Sequence, residues 1–185
     1  GLKEKEASFY DSIYADGGHE GYYFLDAQDV PYYSDLWRAA ASQLAVGTAV
    51  VDLGCGPGQF AEVLRTMSAA PYTGYDFSKI AIEQASRRQL DNCRFIQADL
   101  GALTQLVSDR QYVCLEVLEH IEKDRELLQQ IPKETTLIFS VPTYMSAGHV
   151  RVFPTPSSVE DRYGDILTMK QVHEVLVGST KKIFL

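Results

Sequence analysis

The side chains with the clearest chemical capacity cluster between residues 116 and 151. Glu116, Glu119 and His120 form an E-x-x-E-H pattern, and His149 follows within Gly148-His149-Val150-Arg151. If a helix begins at Glu116, offsets of three and four carry Glu119 and His120 onto the same face. An imidazole titrating near neutrality suits a general base, so Glu116 and His120 are the catalytic candidates. The same two carboxylates and two imidazoles, Glu116, Glu119, His120 and His149, form a donor set for a divalent metal, and it suits Mn, Fe or Zn at least as well as Mg. The plain alternative is structural, with Glu119 capping a helix and His120 packing.

A second chemical feature is made of backbone. Val50-Val51-Asp52-Leu53-Gly54-Cys55-Gly56-Pro57-Gly58-Gln59-Phe60 reads as a strand that enters a glycine-rich turn and then a helix. Glycines let the chain bend tightly and let a ligand approach where a Cβ would collide. Asp76, eighteen residues past Gly58, ends the next strand, where its carboxylate can accept both hydroxyls of a ribose. Asp99 ends the following strand, placed to accept from an exocyclic amine. Together these lay a nucleoside along the carboxyl edge of a sheet.

Regular elements must hold these groups in place. From about residue 49 short β-rich runs alternate with longer helical patterns, the signature of a parallel α/β sheet. The runs are Ala49 to Leu53, Tyr72 to Asp76, Cys93 to Ala98, Tyr112 to Glu116 and Leu137 to Val141. Between the first two, Phe60, Val63, Leu64 and Met67 recur at helical spacing and predict a face packed on the sheet. Ser78 caps a second helix, Leu100, Leu103 and Leu106 mark a short third, and a fourth runs from about Glu119 to Ile131 before Pro132. A helix over Ser158 to Tyr163 follows. Two β-like runs, Leu167 to Val177 and Lys181 to Leu185, then meet at Gly178-Ser179 and predict an antiparallel hairpin at a sheet edge, for seven strands in all.

The turn discriminates between nucleoside ligands. A dinucleotide turn reads G-x-G-x-x-G and aims a helix N-terminus at a pyrophosphate; here the spacing is G-x-G-x-G with Asp52 two residues ahead. A carboxylate there repels a pyrophosphate and suits a ligand carrying an ammonium and a sulfonium, which favours S-adenosylmethionine. The chain from about Ala49 to Leu185 resembles the seven-stranded, Rossmann-like (class I) S-adenosylmethionine-dependent methyltransferases, through VDLGCGPG at 51–58, GYDFS at 74–78, QADL at 97–100, LEVLEHI at 115–121 and FSVP at 139–142. The resemblance implies a three-layer α/β sandwich with a mostly parallel sheet and the C-terminal hairpin. It also implies that Asp52, Gly54, Gly56 and Gly58 surround the methionine part of the cofactor, that Asp76 holds the ribose and Phe77 flanks the adenine, and that Asp99 and Leu100 bind its polar edge. Glu116 falls where cofactor and acceptor meet. The E-x-x-E-H segment with its later His is similar to that of magnesium-dependent small-RNA 2′-O-methyltransferases, and similar segments occur in ubiquinone-pathway O-methyltransferases.

Composition narrows the acceptor. The 185 residues carry a formal charge of −8, and no basic stretch exceeds Arg87-Arg88 or Lys181-Lys182, which argues against nucleic acid as partner. A small-molecule acceptor methylated on oxygen or nitrogen is the leading expectation; a metal-dependent RNA 2′-O-methyltransferase and a non-catalytic S-adenosylmethionine-binding module are the alternatives. With 45% hydrophobic residues, no apolar run near the ~20 residues of a membrane span and no apolar signal core at the start, the expectation is one soluble, cytoplasmic domain, monomeric or homodimeric. Cys55, Cys93 and Cys114 lack zinc or redox spacing and read as reduced core thiols. Residues 1–45 are aromatic-rich and predict two helices forming a lid over the core. That lid and the loop from Thr143 to Pro156 lie at the strand ends, so Tyr14, Tyr33, Trp37, Tyr144, His149 and Arg151 are the candidate acceptor pocket.

Overall fold

Val50–Leu53 (β1) is buried at every position. A strand buried on both faces needs cover above and below, and the helices of an α/β fold supply it. The computed structural model describes residues 2–177 and 180–185. Its seven-stranded sheet has the order β3-β2-β1-β4-β5-β7-β6, with β2 at Tyr72–Asp76, β3 at Cys93–Gln97, β4 at Gln111–Leu115, β5 at Leu137–Pro142, β6 at Glu174–Leu176 and β7 at Lys182–Phe184. The first five strands pair in parallel, and β7 runs antiparallel to both β5 and β6. Chain order reverses between β1 and β4, and such a switch point opens a crevice at the carboxyl ends of the two strands.

Two apolar clusters cover the sheet. One joins Leu36 and Ala40 of α2 (Tyr33–Ser42) with Phe60, Val63 and Leu64 of α3 (Gln59–Met67) and Tyr72. The other joins Leu127 and Leu128 of α5 (Asp124–Gln130) with Val159 and Tyr163 of α6 (Pro156–Tyr163), Leu53 and Tyr112. Helix α4 (Lys79–Arg87) is capped by Ser78, whose hydroxyl accepts from the Ala81 N–H. The N-terminal segment holds α1 (Ala7–Ala15) and α2, as expected, with short 3₁₀ turns at His19–Phe24 and Ala27–Asp29 between them. Asp11 anchors α1 to the start of α4: Ser78 Oγ donates to its carboxylate at 2.5 Å and the Ile80 N–H at 3.3 Å. Among the described residues no helix is long and apolar enough to cross a membrane. The three cysteines are free, with Cys55 and Cys114 buried.

Several boundaries differ from the sequence expectation, each for a local reason. The fourth helix begins at Asp124, not Glu119, because Glu116 takes a left-handed φ of 55° and Arg151 occupies the Leu118, Ile121 and Glu122 carbonyls. The third is only the 3₁₀ turn Leu100–Ala102, since Leu103 is already extended. The run Leu167 to Val177 contributes only Glu174–Leu176 as strand, because its partner β7 is three residues long. The expected turn at Gly178-Ser179 lies outside the described residues.

Candidate active site

One cavity of about 1060 Å³ opens along the carboxyl ends of β1, β2 and β4. At one end stands the glycine turn. Gly54 has φ +86°, and a Cβ there would lie 2.3 Å from Val117 Cγ2; at Gly56, φ is +52° and Tyr14 Oη stands 3.2 Å from the same position. At Gly54 only glycine leaves room for the backbone path and its neighbour, whereas at Gly56 a side chain would need the Tyr14 hydroxyl to shift by a few tenths of an ångström. Asp76 stabilises the turn, accepting from the Gly56 N–H at 3.0 Å and the Ser78 N–H at 2.9 Å. Burial nevertheless pushes its carboxyl up to about 6. Asp52 lies beneath the turn, receives a hydrogen bond from the Tyr72 hydroxyl at 2.5 Å, and is pushed by burial up to about 7. Phe77, Asp99 and Leu100 line the same end; Asp99 is exposed and accepts from the Gly101 N–H at 2.8 Å.

At the other end the wall consists of side chains brought from distant parts of the chain. Tyr33 and Tyr144 meet hydroxyl to hydroxyl at 3.0 Å, Trp37 lies 6.0 Å from Tyr33, and Lys181 sits over the Tyr144 ring. Glu116 directly follows β4 in the left-handed conformation that non-glycine residues rarely adopt. Ser140 of β5 secures it: its hydroxyl accepts from the Glu116 N–H at 2.9 Å and donates to the carboxylate at 3.2 Å. Burial pushes the Glu116 carboxyl up to about 8. Burial and the neighbouring His149 push His120 down to about 4, so His120 is a weaker base than an imidazole near neutrality.

Glu119 is fully buried, and neither of its carboxylate oxygens has a hydrogen-bond partner. Burial and the charge of Glu116 hold its pKa well above the usual carboxylate range. Its Oε1 lies 3.7 Å from His120 Nε2, and the His120 and His149 rings meet nearly edge-on at 4.7 Å. One donor atom each from Glu119, His120 and His149 can be chosen so that all lie within 4.8 Å of one another. His149 Nδ1 donates to the Tyr144 carbonyl at 3.1 Å, which leaves Nε2 as a free lone pair, the arrangement found behind metal-ligating imidazoles. An orphaned carboxylate beside two neutral imidazoles fits a divalent ion. Glu116 stands outside this group, because Ser140 holds its carboxylate; the expected four-residue set contracts to three.

The cavity gathers Tyr14, Tyr33, Trp37, Tyr144 and His149 as expected. Arg151 is a correction. Its guanidinium turns away from the cavity, donates to the Leu118, Ile121 and Glu122 carbonyls and lies 3.4 Å from Asp124. It organises the irregular turn that follows β4, a demand set by backbone carbonyls that no motif announces. Ser140 and Tyr10 are functional neighbours that sequence reasoning passed over. Ser140 lay inside the FSVP motif, so its register opposite Leu115, next to Glu116, was the available signal.

A parallel sheet closed by an antiparallel hairpin, with a glycine turn at the switch point, is the Rossmann-like fold of class I S-adenosylmethionine-dependent methyltransferases. The family model described as "Methyltransferase domain" matches residues 44–145, more than half of the chain, and the chain belongs to that family. A trans-aconitate 2-methyltransferase of Paracidovorax citrulli (strain AAC00-1) is 43% identical over 80 residues, which is 43% of this chain and 29% of that protein. The chain thus spans under a third of the length of that curated relative. Among solved structures, DhpI in complex with SAH superposes with a TM-score of 0.66 at 25% identity, over 96% of this chain and 92% of that one. The [4+2]-cyclase SpnF superposes with a TM-score of 0.74 at 17% identity, over 95% of this chain and 78% of that one.

Proposed function

We propose that the protein transfers the methyl group of S-adenosylmethionine to an oxygen or nitrogen atom of a small-molecule acceptor bound beneath the aromatic wall. The observation that carries this reading is the continuity of the cavity, from Asp76, Phe77 and Asp99 past the glycine turn to Glu116, Tyr33, Trp37 and Tyr144. In this reading Asp52, Gly54 and Gly56 surround the methionine portion, Asp76 holds the ribose, Phe77 flanks the adenine, and Asp99 and Leu100 meet its polar edge; Gly58, expected beside them, is outside the cavity lining and faces Ala85 and Phe95, where its missing side chain lets α3 pack closely. A cationic sulfonium suits carboxyls whose pKa values are raised by burial, since it favours their ionised form.

Methyl transfer needs the acceptor in line with the sulfonium and a base for its proton. Glu116, at the junction of the two ends, takes that proton, and Ser140 keeps its carboxylate turned toward the cavity. The three lysines that line the cavity, Lys5, Lys123 and Lys181, are all exposed, so its inner wall favours a neutral or cationic acceptor over a polyanion. Glu119, His120 and His149 would hold a divalent ion. When bound, such an ion supplies Lewis-acid polarisation of an acceptor oxygen.

Titration calorimetry with S-adenosylmethionine, followed by detection of S-adenosylhomocysteine on adding small alcohols, phenols and amines, tests this function. Binding of the cofactor with release in the presence of an acceptor is the expected result; no binding would sink it. Activity that survives exhaustive chelation, with no metal co-purifying, would remove the ion from the reading and leave methyl transfer intact.

A further inference from the structure

Tyr10 sits on α1, 110 residues from His120 in the chain, yet its hydroxyl lies 2.9 Å from His120 Nδ1. The two rings meet edge to face, with centroids 5.6 Å apart and planes at 90°. On its other side the Tyr10 ring packs on Phe77 at 5.2 Å and on Phe9 at 5.1 Å. Gly148 closes the contact from below. A Cβ at Gly148 would lie 3.0 Å from Tyr10 Oη and 3.2 Å from His120 Nδ1, and its φ of +85° already favours glycine.

Besides Tyr10, the His120 ring has the Gly148 backbone as a polar neighbour and meets the His149 ring nearly edge-on. Its Nε2 is 3.7 Å from Glu119 Oε1, beyond hydrogen-bond length, so contacts at the Nδ1 end decide which nitrogen faces the buried carboxylate. An imidazole directs one nitrogen according to the partner held by the other. His149 already follows this rule through the Tyr144 carbonyl. For His120 the side-chain partner, beside the Gly148 backbone, comes from the N-terminal segment.

We propose that Tyr10 is a positioning residue for His120: its hydroxyl accepts from Nδ1–H and turns the Nε2 lone pair toward Glu119, so the docked N-terminal helix completes the Glu119–His120–His149 site. The proposal rests on the reading of those three residues as a divalent-ion site. It makes the helix part of the ion's outer shell as well as a cover for the cavity. Docking of α1 does not depend on the Tyr10 hydroxyl, because Asp11 binds Ser78 and Ile80, and Gln84 Nε2 donates to the Tyr14 carbonyl at 2.8 Å. Removing the hydroxyl therefore isolates its effect on His120.

The test titrates Mn²⁺ and, separately, S-adenosylmethionine into the wild type and Tyr10→Phe by calorimetry, with ¹⁵N spectra of the histidines in the ion-free proteins. Loss of an outer-shell partner weakens ion binding by about tenfold or more, whereas the retained ring keeps cofactor affinity within about twofold. The His120 nitrogens should report a single Nδ1–H tautomer in the wild type and a mixture in Tyr10→Phe. Equal Mn²⁺ affinity with an unchanged tautomer in Tyr10→Phe overturns the proposal. A wild type that binds S-adenosylmethionine but no Mn²⁺ removes the ion site and overturns it too, while leaving methyl transfer standing; a wild type that binds neither rejects the function itself. Tyr10→Ala, which also removes the ring from Phe77, should weaken both ligands and so separates packing from the hydroxyl contact.

Discussion

The two ends of the cavity are made of different materials. The end proposed for the cofactor is built largely on main chain: the glycine turn between β1 and α3, tied through its Gly56 N–H to Asp76, joined by short loops after β2 and β3. The end proposed for the acceptor is assembled from side chains far apart in sequence, with Tyr33 meeting Tyr144 across 111 residues and Tyr10 meeting His120 across 110. A backbone site tolerates little change in shape. A side-chain site can be altered one residue at a time, which lets a shared core serve different acceptors.

The largest effect should come from the backbone end. Gly54→Ala forces a left-handed alanine against Val117, a combined strain of about 3 kcal/mol, and S-adenosylmethionine affinity should fall about a hundredfold by calorimetry. Affinity close to that of the wild type would mean that the turn does not carry the cofactor site. Next in size, Glu116→Gln should lower kcat by about a hundredfold or more with little change in cofactor affinity, as expected for loss of a proton acceptor.

The same substitution has a pH signature. The folded Glu116 and Asp52 carboxyls titrate at about 8 and about 7, above ordinary values of 4.5 and 3.8. The folded protein therefore keeps protons that the unfolded chain releases, so these groups cost no stability at low pH and an increasing amount as pH rises to the folded values. His120, lowered from 6.5 to about 4, has the opposite slope between those two values. Above pH 6.5 only the carboxyl effect among these three remains. The thermal midpoint of the ligand-free protein should fall between pH 6.5 and 8, and Glu116→Gln should flatten the upper part of that fall. A midpoint that rises across this range would contradict the placement of both carboxyls.

Smaller effects sharpen the boundary between the two ends. Arg151→Met should cost about 2 kcal/mol of stability through the carbonyls it abandons, measured by chemical denaturation, with acceptor KM unchanged in the surviving fold. A selective rise in KM would return Arg151 to the acceptor pocket. Tyr33→Phe, which removes one hydroxyl of the Tyr33–Tyr144 pair, should cost about 1 kcal/mol, seen as a roughly fivefold change in acceptor KM and little change for S-adenosylmethionine.

The contrast between the ends also explains what the sequence revealed. Strand, turn and helix around Gly54 are consecutive, so residue type and spacing were enough to place them. Asp76 was legible as a strand-end acid from its own strand pattern, whereas Asp99 falls two residues past β3 and caps the 3₁₀ turn at Leu100–Ala102. The acceptor wall had no such local pattern. Arg151 looked like a ligand for an acidic acceptor because nothing near it in sequence showed that residues 118–122 would turn irregularly and offer it their carbonyls. Tyr10 was one aromatic among many in the first 45 residues, and only the packing of α1 against α4 brings it to His120. Glu116 was legible as the residue at the carboxyl edge of β4, which it directly follows, but its left-handed backbone and its bond to Ser140 were not announced by residue type.

The chain contains one tryptophan, and Trp37 lies on the cavity wall proposed for the acceptor, beside Tyr33. Its ultraviolet emission is consequently an unlabelled optical gauge of that wall alone. Quenching or a spectral shift on adding a compound reports occupancy beside Tyr33, so a library of candidate acceptors can be screened in a fluorimeter before any product is assayed.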